Sequence, residues 1–257
     1  MTPAQYSSLS LLAKEYFNSL DLETVKKEFT KDSLLNRNQK LEKGSGIPNY
    51  GLELTPSKFA QTIFNMCGNE GQCLFTCLVF SGLDNMMKSK SMILSNTLKK
   101  RIRRTFLLLI DPDFALAKLK QEIQVLSDTY QTVAIRMNVF SDLKWHDVIA
   151  PTTWNNVLWY DYTKKDSFLG KSTKKSFTYS ASEKDKDGDL VALLNRGYNV
   201  AMVFHANKLP STWNGFEVID GDEHDRRYED KKGVVVGLVQ KSTMGGKHKS
   251  VFTRTVA

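Results

Sequence analysis

A mainly parallel α/β sheet, curled into a full or partial TIM-like (β/α) barrel behind an N-terminal helical extension, is the fold class this chain predicts. Short apolar segments recur along it at intervals long enough to hold crossover connections. Those segments are nearly continuous in apolar residues, as strands buried on both faces are. Helical punctuation separates some of them, as at Asp189 to Asn195 before Gly197, a residue type suited to a helix C-cap.

Residues 1–43 form the predicted helical extension, with Leu9, Leu12, Tyr16 and Phe17 spaced for one helical face. Gly44 to Pro48 breaks the chain and opens an α/β domain over 44–241, whose first strand is expected between Asn49 and Leu54. Lys90 to Ile110 reads as a helix carrying Ile93, Leu94, Leu98, Ile102 and Phe106. Asp111-Pro112-Asp113 stops it and starts a second, with Leu116, Leu119, Ile123 and Leu126 on one face. Further strands are expected at Thr132 to Asn138, Val157 to Tyr162, Lys175 to Ser180, Asn199 to His205, Phe216 to Asp220 and Val234 to Val239. Residues 242–257 form a basic C-terminal tail containing Gly245 to Lys249.

With 257 residues, 41% of them hydrophobic, the chain can bury one substantial core. It has no apolar run of about 18 residues, and Lys14, Glu15, Asp21 and Glu23 interrupt the place where a signal peptide would lie. A soluble cytoplasmic protein without membrane contact is therefore expected. The formal charge of +8, from 36 basic and 28 acidic residues, permits a polyanionic partner without demanding one.

Cysteine usage is more specific. All three cysteines fall in one segment, Cys67, Cys73 and Cys77, with spacing C-x5-C-x3-C. An even number at wider spacing would suit a disulfide framework, and a zinc ribbon would show C-x2-C pairs. Thiolates are soft ligands, and Gly68 and Gly71 let the loop turn so that backbone N–H groups can face sulfur. The expectation is a 4Fe-4S cluster on three thiolates, leaving one iron open. Zinc is the alternative and would need a fourth donor, for which His146, His205, His224 and His248 are candidates; ordinary buried or surface thiols are the simplest alternative.

The cysteine loop with Phe80-Ser81-Gly82 after it, then Arg103-Arg104-Thr105, Ile135 to Asn138, and Gly221 to Arg227 leading to Gly233 to Leu238, resembles the phage family called gene product eighty-eight, over roughly residues 46–241. The resemblance implies a phage protein working in the cytoplasm of the infected host cell, and it implies no established activity. The order of strand, three-cysteine loop, helix and further β/α units also resembles radical S-adenosylmethionine enzymes, although their usual C-x3-C-x2-C spacing is absent. That likeness implies an open iron for S-adenosylmethionine or another small ligand, and leaves open whether the protein is an enzyme.

In a β/α barrel the side chains at strand carboxyl ends face the site. That rule nominates Arg136, Asn138, His205 and Asp222 as cofactor contacts, and also Asp161, Ser180, Glu183 and Asp220. Each has a plainer reading: a salt bridge for Arg136, a turn for Asp220-Gly221-Asp222, a structural hydrogen bond for His205. Lys99, Lys100 and Arg101, with Arg103 and Arg104, read as the solvated face of a helix or, alternatively, as a contact for nucleic acid or a host factor. A non-catalytic protein with a structural or redox-sensing cluster, or a zinc-stabilised module, is the competing function.

Overall fold

The computed structural model describes residues 3–37, 46–68, 71, 73, 77, 94–149, 151–170, 175–240 and 253–254. Among the predicted features, Phe80 to Gly82, the helix start from Lys90 to Ile93 and the tail at Gly245 to Lys249 lie outside them.

Two helices open the chain, α1 (Pro3–Asn18) and α2 (Leu22–Lys31). They are not peripheral: Leu9, Ala13, Phe17, Val25 and Phe29 are buried in the same core as the central helices. Those are α3 (Asn96–Ile110) and α4 (Pro112–Thr129), each started by a side-chain cap. Ser95 Oγ accepts the Leu98 N–H at 3.1 Å, and Asp111 Oδ1 accepts the Phe114 N–H at 3.0 Å, with Pro112 in the first turn. A single turn, α5 (Trp145–Val148), and the helix α6 (Asp187–Asn195) complete the set among the described residues.

The strands are β1 (Leu35–Arg37), β2 (Asn49–Leu52), β3 (Val133–Arg136), β4 (Val157–Thr163), β5 (Lys175–Ser180), β6 (Asn199–Phe204), β7 (Thr212–Trp213), β8 (Phe216–Asp220) and β9 (Val235–Val239). They form one nine-stranded sheet in the order β1-β2-β3-β4-β5-β6-β9-β8-β7. Every pairing from β2 to β8 is parallel, while β1 and β7 pair antiparallel at the two edges. The sheet is open among the described strands, so the closed form of the expected full or partial barrel is not formed. The reason is local: antiparallel β1 and β7 cap the parallel body, and β2 and β8 have no free edge with which to meet.

From β2 to β6 the chain advances one strand at a time in one direction. The described helices between these strands pack on one face of the sheet, where right-handed crossovers would place them. Leu52, Val133, Ile135, Val157 and Trp159 accordingly pack with Leu98, Ile102, Leu119 and Ile123, while Phe177, Val200, Met202 and Val235 pack with Leu190, Leu193 and Leu194. The opposite face is different in kind. Registered neighbours there include Gly51 with Arg136, Tyr160 with Ser176, Tyr162 with Thr178, Thr178 with Asn199, and Ala201 with Val236. These small and polar residues leave room for the β8–β9 connection, which covers them. Tyr228 stacks edge-on against Tyr160 with centroids 5.4 Å apart, and Ser176 Oγ donates to the Arg227 carbonyl at 3.3 Å.

Asp111 offers a pH test of the helical layer. Its carboxyl is held below the usual carboxylate range, first by the Phe114 N–H and then by Lys26, whose ammonium lies 3.0 Å away. A lowered folded-state value means that its stabilising contribution is present above the unfolded value of 3.8 and is lost as pH falls through the folded one. Asp111→Asn should therefore flatten the loss of melting temperature on acidification below about pH 4, as monitored by thermal circular dichroism.

Candidate metal centre at the carboxyl ends of the strands

The cysteine segment is anchored before its first thiol. Leaving β2, the chain buries Leu54, Phe59, Ala60 and Met66, which pin residues 54–66 to the main core. Ser57 and Met66 face each other across this excursion, the Met66 N–H donating to the Ser57 carbonyl at 3.1 Å. Asn65 Oδ1 accepts both the Cys67 and the Gly68 N–H at 3.0 Å, so an asparagine side chain sets the direction in which the loop leaves.

Cys67 is consequently held against two backbones. Its Sγ accepts the Ser57 N–H at 3.2 Å and lies 3.4 Å from the Phe140 carbonyl on the loop after β3. Ser57 makes that contact with a φ of 51°, a left-handed conformation unusual for a residue with a side chain. Gly68 and Gly71 also carry positive φ, 74° and 48°. At Gly68 a Cβ would meet Lys165 Cε at 3.2 Å and Nζ at 3.3 Å; at Gly71 it would collide with the Glu183 carboxylate. Cys67, Gly68 and Gly71 thus each meet a residue that follows a strand: Phe140 after β3, Lys165 after β4 and Glu183 after β5. All three cysteines are half-buried, and Cys77 packs against the main core. Among the described residues, no three Cys, His, Asp or Glu side chains already stand together as a group able to hold a metal.

Beneath this loop the strand ends are cross-braced. Asn138, nominated as a cofactor contact, is instead a hub: its N–H and Nδ2 donate to Asp161, Nδ2 also to the Leu143 carbonyl, and Oδ1 accepts from Ser141, Leu143 and Trp145. Asp142 accepts from Thr163 Oγ1 and the Lys164 N–H, and its carbonyl takes the Lys165 ammonium at 2.7 Å. Burial pushes the Asp142 carboxyl above its usual range. Glu53, just past β2, pairs with Arg101 at 2.9 Å, and the Arg101 guanidinium covers the Phe140 ring at 4.6 Å.

Arg136 turns to the other face of the sheet. It pairs with Asp225 at 2.6 Å, covers the Tyr162 ring at 4.5 Å, and donates to the Asn138 and Val139 carbonyls. Asp225 also accepts the Tyr162 hydroxyl at 2.8 Å. Burial alone would lower the guanidinium's proton affinity, but Asp225 and the neighbouring tyrosines outweigh it and hold the group more basic than usual. Burial, with Asp225 next in weight, raises the Tyr162 hydroxyl well above its ordinary value. The other two nominated residues belong to the far side of the sheet. His205 Nδ1 meets Gln240 Oε1 at 2.5 Å, and Asp222 Oδ2 accepts the Val239 N–H at 2.8 Å. Gly221 is required there because a Cβ would come within 2.6 Å of Val236 Cγ1.

The basic run of α3 is not a solvated stripe. Arg101 and Arg104 are buried, Lys100 pairs with Asp32 at 2.9 Å, Arg103 with Glu28 at 2.7 Å, and Lys99 lies 5.6 Å from the Tyr16 ring. Burial lowers the Arg104 value to about 10. Residues that sequence reasoning passes over include Glu53, Asp142 and Lys165; their one signal is position, shortly after a strand. Replacing Asp225 with Asn should strip the counter-charge from Arg136 and cost about 3–5 kcal/mol in urea denaturation, and Arg136→Met with Asp225→Leu should recover most of that loss.

Among the described residues no helix is long and apolar enough to cross a membrane. No curated protein and no solved structure matches the sequence. A family model described as Gene product 88 matches residues 25–255, from within α2 through all nine strands. With that span covered, the chain belongs to the Gene product 88 family, the phage family its motifs resemble.

Proposed function

We propose that this protein holds an iron–sulfur centre of the 4Fe-4S type through Cys67, Cys73 and Cys77, above the carboxyl ends of β3, β4 and β5. The observation that carries the reading is the Ser57 N–H, aimed at Cys67 Sγ from a residue held at φ 51°. A non-glycine residue in that region costs about 1–3 kcal/mol and persists where its surroundings demand it. Backbone N–H groups directed at sulfur offset the negative charge of cluster thiolates and tune their potential. The Lys165 ammonium beside Gly68 adds positive charge at the same place.

The position favours a site on separate grounds. One-way winding, as in an incomplete barrel, gathers the loops after successive strands at one end of the sheet, where α/β proteins bind their ligands. Three thiolates leave one iron for a further ligand, and S-adenosylmethionine or another small molecule is the occupant this reading allows. Family membership supplies no activity, so the centre is equally compatible with a structural or redox-sensing role. The buried and paired basic residues of α3 lend no comparable support to nucleic-acid binding.

Anaerobic reconstitution should give a brown protein with iron and sulfide in about equal amounts, near four of each per chain. Cys67→Ser, Cys73→Ser and Cys77→Ser should each remove most of that iron while leaving the far-ultraviolet circular dichroism unchanged. Ser57→Gly, which keeps the N–H and relieves the backbone, should retain it. Stoichiometric zinc in place of iron, or a colourless metal-free protein, would overturn the proposal.

A further inference from the structure

We infer that an apolar groove lined by Phe64, Trp145 and the facing ends of α3 and α4 is the contact face of a two-fold dimer, its occupant being a second copy of this chain. Among the described residues six large apolar side chains are exposed, and two of them, Phe64 and Val148, line this one groove. Ile63, 63% exposed, precedes Phe64 in the chain, and the exposed Ile110 follows Leu109 at the end of α3. The groove holds about 270 Å³, and its floor and walls include Leu108 and Leu109 of α3, Leu116 of α4 and Trp145 of α5. Exposed apolar surface gathered in one place marks an interaction face, whereas single exposed residues do not. The inference is independent of any metal.

Phe64 is displayed on a fixed backbone. The buried side chain of Gln61 brackets it: Oε1 accepts the Phe64 N–H at 2.8 Å, while Nε2 donates to the Phe64 carbonyl and, at 3.2 Å, to the Ser57 carbonyl. An aromatic residue that is half exposed is thereby carried on a backbone set before any partner arrives, which lowers the cost of ordering it on binding. Rigidly held aromatic residues that enter apolar recesses supply much of the energy of protein interfaces. One face of the molecule thus carries both an exposed aromatic residue and an apolar recess.

A two-fold contact requires a single surface to carry both halves of every interaction, and this one does so in charge as well as in shape. At the groove, Lys144 Nζ lies 3.7 Å from Asp147 Oδ2, and the two side chains are 61% and 56% exposed. Their other neighbours are the Phe168 ring, 6.0 Å from the lysine, and His146 Nε2, 3.4 Å from the aspartate. An exposed ion pair of this kind contributes little to its own fold, so each member can change partner at small cost. A uniformly acidic or uniformly basic partner would meet a like charge on this rim. A second copy meets each charge with its opposite.

The test is sedimentation equilibrium of the full chain at tens of micromolar. Wild type should show twice the mass of one chain, and Phe64→Asp and Val148→Glu should each return it to the mass of one, with unchanged far-ultraviolet circular dichroism. Lys144→Glu alone and Asp147→Lys alone should each weaken the dimer by about tenfold or more, because each sets like charges against one another across the axis. An equimolar mixture of those two variants should dimerise again, since every pair across the axis is then of opposite sign. Neither variant holds such a pair within its own chain, so the recovery can come only from contact between chains. If Phe64→Asp does not fold, the two charge variants, both on exposed side chains, decide the matter by themselves. Wild type that keeps the mass of one chain would overturn the dimer and leave the groove to a different partner, such as an amphipathic helix. A dimer indifferent to Phe64→Asp, or a mixture no more dimeric than its components, would overturn it as well.

Discussion

A guanidinium on a strand buried within a parallel sheet has to be neutralised where it stands, and much of this molecule is organised around that requirement at Arg136. Its partner Asp225 comes from the connection between β8 and β9, on the opposite side of the sheet in strand order. To reach Arg136 that connection must cross the face the helices do not cover. Small residues at Gly51, Ser176, Thr178 and Ala201 give it space, and Tyr160, Tyr162 and Tyr228 fill the rest with apolar rings that carry polar tips. The ion pair therefore fixes which loop lines one side of the sheet, a choice hydrophobic contact alone would leave open.

The same winding that exposes this face to a loop also collects the strand carboxyl ends into one region. There the polar groups act mainly on one another: Asn138 with Asp161, Asp142 with Thr163 and Lys165, Glu53 with Arg101. A braced platform of this kind holds the cysteine loop at defined points, through Ser57, Phe140, Lys165 and Glu183. On the proposed reading, this platform lets the thiols of the loop close on a metal without disturbing the sheet.

Much of this architecture is legible in the sequence because buried parallel strands announce themselves as apolar runs. The expected segments at 157–162, 175–180, 199–205, 216–220 and 234–239 match β4, β5, β6, β8 and β9 closely. The strands β1 and β7 are not legible, being too short to show a pattern, although Asn214-Gly215 with φ of 46° and 82° is a hairpin turn signal beside β7. Side-chain partners are harder still. Arg136 announces its need for an anion, yet Asp225 lies far along the chain, and nothing local pairs them. The basic run of α3 shows the opposite error: five charges within six residues read as a solvated face, whereas tertiary packing buries Arg101 and Arg104 and pairs Lys100. Charge density along a chain does not report which direction each side chain will face.

The two edge strands have an effect beyond closing off the barrel. A wide sheet with exposed hydrogen-bonding groups along its margins invites a neighbouring molecule to extend it, and long flat margins are where such stacking begins. Among the described residues the margins are the three residues of β1 and a two-residue strand set in a tight hairpin. Among the described residues neither margin presents a long run of consecutive backbone groups, so the described edges are poor templates for adding another strand.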